Sequence, residues 1–258
     1  MLLRHGQRRR VLARLYFPAQ FGRLPPLREI GQQHLLIKNI MRTKAEIIGQ
    51  LTNPGIIAVI RAKKAIQALP IAEALLAGGV IAIEITMTTP DAIAAIRSVS
   101  ERLGDRALIG AGTVLDVATC QAAIAAGAQF VVSPICRPEL VLIASRAQRP
   151  IMLGAYTPTE AQLAHEAGAD FVKIFPADKL GPGYVKALRA PLPHLRIVPT
   201  GGVDLNTIGD FFKAGCPAVG AGSSLVSKEI LDTEDWPQLT RRAAEFVKAV
   251  KTARGEHA

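Results

Sequence analysis

Residues 165–176 read H-E-A-G-A-D-F-V-K-I-F-P: a helix end, a glycine, then a short apolar run with Lys173 inside it. Glycine after a helix supplies a left-handed cap, and a β-rich run behind it reads as a buried parallel strand. The phrase recurs as L-L-A-G-G-V-I-A-I-E (75–84), I-A-A-G-A-Q-F-V-V-S (124–133) and F-K-A-G-C-P-A-V-G-A (212–221). Repetition of helix, glycine and strand marks stacked βα units. Filling the gaps gives eight strand candidates, near 56–61, 80–86, 107–112, 129–133, 150–154, 170–175, 195–199 and 217–221. Helical patterns separate them, among them 65–76, which Pro70 kinks or shortens, 91–103, and a closing helix from Trp236 to Lys251. Such alternation within 258 residues predicts an α/β protein, a single (β/α)8 TIM barrel.

Composition agrees with a layered interior. Hydrophobic residues make up 49% of the chain and aromatics only 5%, so Ala, Ile, Leu and Val fill the core. No apolar run is long enough to span a bilayer, and no membrane partner is expected. Three cysteines, Cys120, Cys136 and Cys216, are odd in number and widely spaced. Neither a zinc site nor a disulfide framework is expected, and a reducing cytoplasm fits. The five histidines have no ligand spacing, so no metal is expected.

The net charge of +10 is uneven. Residues 1–40 hold eight of the 31 bases and one of the 21 acids, leaving 23 bases and 20 acids for residues 41–258. The charge therefore belongs to a tail, and no nucleic-acid partner is expected for the nearly balanced body. The tail is Arg-rich and acid-poor, as organellar targeting segments are, but has no Ser or Thr and no secretory apolar core. The expected division is a basic extension over 1–40, disordered or outside the native protein, and a barrel over 41–258. Met41 reads as a natural start for the first helix.

In TIM barrels the chemistry sits at the C-terminal ends of the strands. Lys173 lies there on strand six and Glu84 on strand two. A buried ammonium or carboxylate is costly when alone, and a buried pair adds little net stability. The two together look more like an amine nucleophile and a proton shuttle than a structural bridge. Burial in general favours the neutral amine, the form that attacks a carbonyl carbon. Counted from the preceding A-G, Glu84 is six residues on and Lys173 five, so one repeat must be shifted if both point inward. The loops V-P-T-G-G-V-D (198–204) and G-A-G-S-S-L-V (220–226) fall where barrels grip phosphate, with hydroxyls at Thr200, Ser223 and Ser224 and a helix opening near Asp204. Arg61, at the end of strand one, is either a rim cap or the bidentate partner of a substrate carboxylate.

G-G-V-x-x-I-E-I-T, G-A-G-T-V, V-S-P, T-P-T-E, F-V-K-I-F-P, P-T-G-G-V and G-S-S-L, in order from Ile56 to Val226, closely resemble the 2-keto-3-deoxy-6-phosphogluconate aldolases, which also act as 4-hydroxy-2-oxoglutarate aldolases. The resemblance implies a cofactor-free, homotrimeric class I aldolase with Lys173 as the Schiff-base lysine and Glu84 as the acid/base. It implies that Thr113 and Pro134 line the pyruvyl pocket and that Thr200, Gly201, Gly202 and Ser223 bind the phosphate end. Where many members carry an arginine for the pyruvyl carboxylate this chain has Thr88, and Arg61 is the candidate replacement. Leu153 stands where the family has a proline. The implied reaction splits 2-dehydro-3-deoxy-6-phosphogluconate into pyruvate and glyceraldehyde 3-phosphate, and 4-hydroxy-2-oxoglutarate into pyruvate and glyoxylate. Two rivals are an aldolase for the galactonate epimer and a non-aldolase phosphate-binding barrel.

Overall fold

A computed structural model describes residues 42–256. The basic segment 1–40, with the extension expected there, lies outside them, as does Met41.

Eight strands form one parallel sheet: β1 (Ile56–Ile60), β2 (Ala82–Thr86), β3 (Leu108–Gly112), β4 (Phe130–Val132), β5 (Ile151–Ala155), β6 (Phe171–Ile174), β7 (Ile197–Pro199) and β8 (Val219–Ala221). Their order is β7-β6-β5-β4-β3-β2-β1-β8, and a parallel bridge between Thr200 and Gly220 joins the ends into a barrel. All eight match the strand candidates. Every strand residue is buried, as expected of strands covered on both faces.

Ten α-helices accompany them among the described residues: α1 (Lys44–Thr52), α2 (Ala68–Ala77), α3 (Ala92–Leu103), α4 (Val117–Ala125), α5 (Glu139–Arg146), α6 (Pro158–Glu166), α7 (Gly181–Arg189), α8 (Ile208–Lys213), α9 (Lys228–Thr233) and α10 (Trp236–Ala253). Seven of them, α2 to α8, follow the first seven strands one by one, and α9 and α10 follow the eighth. Pro70 shortens its helix: the chain makes a 3-10 turn over Ala65–Gln67, and the proline falls in the first turn of α2, where a missing N–H costs nothing. The helix expected near Asp204 opens later, at Ile208. The Asp204 carboxylate instead accepts from the Asn206 and Thr207 N–H groups, both at 2.9 Å, closing a turn first.

The core has two parts. Outward strand residues such as Ile56, Ile60, Ile83 and Ile174 pack against the helices. Inward residues Ile57, Leu108, Phe130, Met152, Phe171 and Val198 fill the lower barrel, and α1 closes it from below with Ile47 and Leu51. A reciprocal cap starts α1: Thr43 Oγ1 accepts from Glu46 N–H, and the Glu46 carboxylate accepts from Thr43 N–H.

The helix-to-strand glycines resolve the register. Gly127, Gly168 and Gly215 have φ of 106°, 93° and 87°, but in the first repeat the left-handed residue is Gly79, at 89°, and not Gly78, at −83°. Counted from the left-handed glycine, Glu84 and Lys173 are both fifth, as are Val132 and Gly220. The doubled glycine is the expected one-residue shift, and it brings Glu84 to the same inward position as Lys173.

Leu51 is fully buried in the barrel floor, so Leu51→Ala is expected to lower stability by about 2–5 kcal/mol in urea unfolding. Thr43→Ala, which removes only a helix cap, is expected to cost about 1 kcal/mol.

Candidate active site

Strand alternation turns Glu84 and Lys173 into the barrel above the apolar floor. Only 3% of Glu84 and 5% of Lys173 is exposed, and Lys173 Nζ lies 3.5 Å from Glu84 Oε1. That oxygen is buried and accepts no hydrogen bond among the described residues, so the ammonium is its near neighbour and an acceptor site stays open. The Lys173 ammonium also stands 5.2 Å from the centre of the Phe175 ring, a cation–π distance.

The cage has space because neighbouring inward positions lack side chains. A Cβ on Gly112 would overlap the Glu84 carboxylate, one on Gly154 the Pro134 backbone, and one on Gly220 the Thr200 hydroxyl. Glycine at these places is a matter of close approach. Leu153, the departure from the family proline, points outward into the helix-facing core, away from the site.

Around the pair the strand ends form a rim. Thr113 follows β3 with φ 58°, left-handed and unusual for a β-branched residue. Hydrogen bonds on both sides hold it: Met87 N–H donates to Gly112 O at 2.8 Å, and Val114 N–H donates to Val132 O at 3.1 Å. Thr88 is exposed and its hydroxyl lies 2.7 Å from that of Thr86. Pro134 is half-buried at the end of β4. The cysteines are weak nucleophiles here, because burial raises the thiols of Cys136, Cys120 and Cys216, the last two to about 11 and about 12. After β5, hydrogen bonds from Tyr156 N–H and from the Thr157 hydroxyl and N–H hold the Glu160 carboxylate below its ordinary range and fix that loop.

A cavity of about 380 Å³ opens between the loops after β1, β7 and β8. It is lined by Arg61, Phe175, Thr200, Gly201, Gly202 and Ser223, with Lys63 and Lys228 as further cations and, among the described residues, Asp204 as the one acid. Gly201 and Gly202 have φ of 89° and 71°. Among the described residues their N–H groups, and that of Ser223, donate no backbone hydrogen bond. Free N–H groups beside three cationic side chains suit a small anion. The sequence candidates thus fall into an inner pair, Glu84 and Lys173, an anion-facing group with Arg61, and a rim of Thr88, Thr113 and Pro134 that does not line this cavity. Phe175 touches both the pair and the cavity.

Ser224, grouped with Ser223 in the sequence, lines the same cavity, and its hydroxyl donates to Val203 O and ties the loops after β7 and β8 together. Sequence reading missed Thr86 and Thr89. Both are buried; the Thr86 hydroxyl donates to Ile60 O at 3.0 Å and the Thr89 hydroxyl accepts from Ala62 N–H at 3.2 Å, fixing the backbone on either side of Arg61. The polar run Thr86–Thr89 after an apolar strand was the available signal. Among the described residues no group of three or more His, Cys, Asp or Glu is placed to hold a metal ion.

The profile of the KDPG and KHG aldolases matches residues 47–242. The 2-dehydro-3-deoxy-phosphogluconate aldolase of Pseudomonas aeruginosa is 38% identical over 211 residues, 81% of this chain and 96% of that one. The 2-dehydro-3-deoxy-6-phosphogalactonate aldolase of Escherichia coli is 35% identical over 203 residues, 78% of this chain and 97% of that one. A crystal structure of the Legionella pneumophila KDPG aldolase, with pyruvate captured at low pH as a covalent carbinolamine intermediate, superposes with a TM-score of 0.69 at 31% identity. It covers 76% of this chain and 96% of that one.

Breaking the inner pair one side at a time leaves a buried charge alone. Lys173→Met is therefore expected to cost about 3–5 kcal/mol in denaturant unfolding, and adding Glu84→Gln to restore most of it. A double variant no more stable than Lys173→Met would show that the two side chains are not coupled.

Proposed function

The chain belongs to the KDPG and KHG aldolase family, and on that premise we propose that Lys173 is the Schiff-base lysine and Glu84 the acid/base of its reaction. The protein is a class I aldolase that cleaves 2-dehydro-3-deoxy-6-phosphogluconate. The observation that carries the residue assignment is the enclosed pair itself: an amine 3.5 Å from a buried carboxylate oxygen with no hydrogen bond of its own.

The steps follow from that geometry. Glu84 takes a proton from the Lys173 ammonium, the freed amine attacks the C2 ketone, and Glu84 returns that proton to the carbinolamine hydroxyl, which leaves as water to give an iminium. The Glu84 carboxylate, directly or through a water, accepts the C4 hydroxyl proton while the C3–C4 bond breaks. Its electrons pass to the iminium nitrogen, leaving an enamine on the lysine and releasing glyceraldehyde 3-phosphate. A proton from the Glu84 carboxyl then reaches C3, and hydrolysis frees pyruvate and the lysine. Because the carboxylate and the amine are the only chemistry needed, the wall around them can remain apolar.

The phosphate end falls to Thr200, Gly201, Gly202 and Ser223, whose open N–H groups and hydroxyls face the cationic cavity. Thr113, Pro134 and Thr88 are assigned to the pyruvyl end. Arg61, which the sequence offers as a rim cap or a carboxylate ligand, has an exposed guanidinium that lines the same cavity as the phosphate loops, so it serves whichever acidic group of the substrate enters there. The galactonate epimer is the second substrate to consider, on the strength of the Escherichia coli relative; Thr200 favours the gluconate form. The family name also carries 4-hydroxy-2-oxoglutarate as a substrate. We further place the enzyme in the cytoplasm as a homotrimer, readings that rest on cysteine usage and on family resemblance.

Borohydride with pyruvate is expected to leave one reduced pyruvyl adduct on Lys173 by peptide mass mapping, and Lys173→Ala to abolish it. Glu84→Gln is expected to lower kcat by about 10²–10⁴-fold, and a chelator to leave activity intact. Absence of the adduct with phosphate-ligand binding preserved would favour a non-aldolase barrel, and turnover on the two C4 epimers separates the sugar acids. Sedimentation equilibrium is expected to return the mass of three chains; a monomer mass would remove the trimer.

A further inference from the structure

Gln67 is a buried polar side chain, 5% exposed, standing in the turn before α2 and away from the barrel strands. Its amide is fully engaged. Oε1 accepts from Lys63 N–H at 3.1 Å and Lys64 N–H at 3.3 Å, while Nε2 donates to Leu231 O at 3.3 Å and Glu234 Oε1 at 2.9 Å. Two acceptor and two donor bonds use the whole capacity of a side-chain amide.

The partners give these bonds their meaning. Lys63 and Leu231 both line the cationic cavity, Lys63 from the loop that carries Arg61, Leu231 from α9, which follows the loop carrying Ser223. One buried amide therefore joins two walls of the cavity. Glu234, its fourth partner, is the left-handed residue that ends α9, with φ 54°. A second tie runs alongside, from the Lys63 ammonium to the Asp232 carboxylate. That pair is about half exposed, where water and salt leave an ion pair little net strength. The shielded amide is the firmer of the two, since a buried donor or acceptor that loses its partner is penalised in full.

We propose that Gln67 is a positioning residue for the anion-binding end of the site. It sets the separation of the Arg61 loop and the Ser223 loop, and hence the affinity for the substrate phosphate, without touching the reacting carbons. The proposal rests on the reading of that cavity as the phosphate end. Gln67 contacts neither Lys173 nor Glu84 in the hydrogen bonds of the described chain, so chemistry on pyruvate, which has no phosphate, is independent of it.

The test compares two readouts in Gln67→Leu, Gln67→Glu and the double variant Gln67→Glu/Glu234→Gln. One is KM for 2-dehydro-3-deoxy-6-phosphogluconate; the other is deuterium exchange into the pyruvate methyl group. Loss of uniform binding raises KM and spares kcat, so both single variants are expected to show KM raised about tenfold, with kcat and pyruvate exchange within about twofold of wild type. In Gln67→Glu a carboxylate faces both Glu234 and Leu231 O; in the double variant the new amide at position 234 donates to the carboxylate at 67 while Leu231 O stays without that donor, and KM is expected to recover in part. An unmoved KM, or KM and pyruvate exchange failing together, would overturn the proposal. Should Gln67→Leu not fold, failure of the double variant to recover from Gln67→Glu overturns it equally. A wild-type enzyme without pyruvate exchange would instead refute the aldolase mechanism, so the two readings fail separately.

Discussion

Glu84 and Lys173 share the enclosed interior of this barrel, and the rest of the molecule is arranged so that they can. Taking both out of water costs several kcal/mol apiece, and their mutual attraction returns about that much and no more. The pair therefore cannot hold the barrel closed. The closure comes from the parallel sheet, from its single bridge at Thr200 and Gly220, and from a floor of large apolar side chains plugged by Ile47 and Leu51 of α1. The absence of side chains at Gly112, Gly154 and Gly220 then leaves the upper barrel roomy enough for charged groups and a substrate.

Stability and function are segregated along the barrel axis. Below the pair, apolar side chains of the strands and of α1 pack together. Above it, loops line the cavity, and polar side chains fix those loops by hydrogen bonds to backbone. Thr86 and Thr89 hold the backbone around Arg61, Ser224 joins the loops after β7 and β8, and Gln67 spans from the first loop to α9. The left-handed Thr113 fits this pattern: an unfavourable backbone conformation survives because hydrogen bonds on both sides over-determine it.

Much of this was readable in the chain, and the exceptions have physical causes. The strands were visible because a left-handed glycine followed by β-branched residues has few other uses. Glu84 and Lys173 stood out because charged residues within apolar runs are rare. Their mismatch of one residue disappears in the structure because the doubled glycine moves the left-handed conformation from Gly78 to Gly79. The helix expected from Asp204 began four residues later because an aspartate side chain can close a turn as readily as it can start a helix. Ser223 and Ser224 are chemically identical and adjacent and both line the cavity, and nothing local shows that the Ser224 hydroxyl is committed to Val203 O.

Local patterns, which need only neighbouring residues, give the alternating units, the barrel and the two charged residues turned into it. They do so because backbone handedness and strand periodicity act over a few residues at a time. Distances between loops do not follow from any local rule. That Arg61 joins the glycine-rich loops after β7 and β8 in one cavity, that Gln67 bridges to residues more than 160 positions away, and that Thr88 stays on the rim were decided by closure of the sheet, which brings the first strand beside the last.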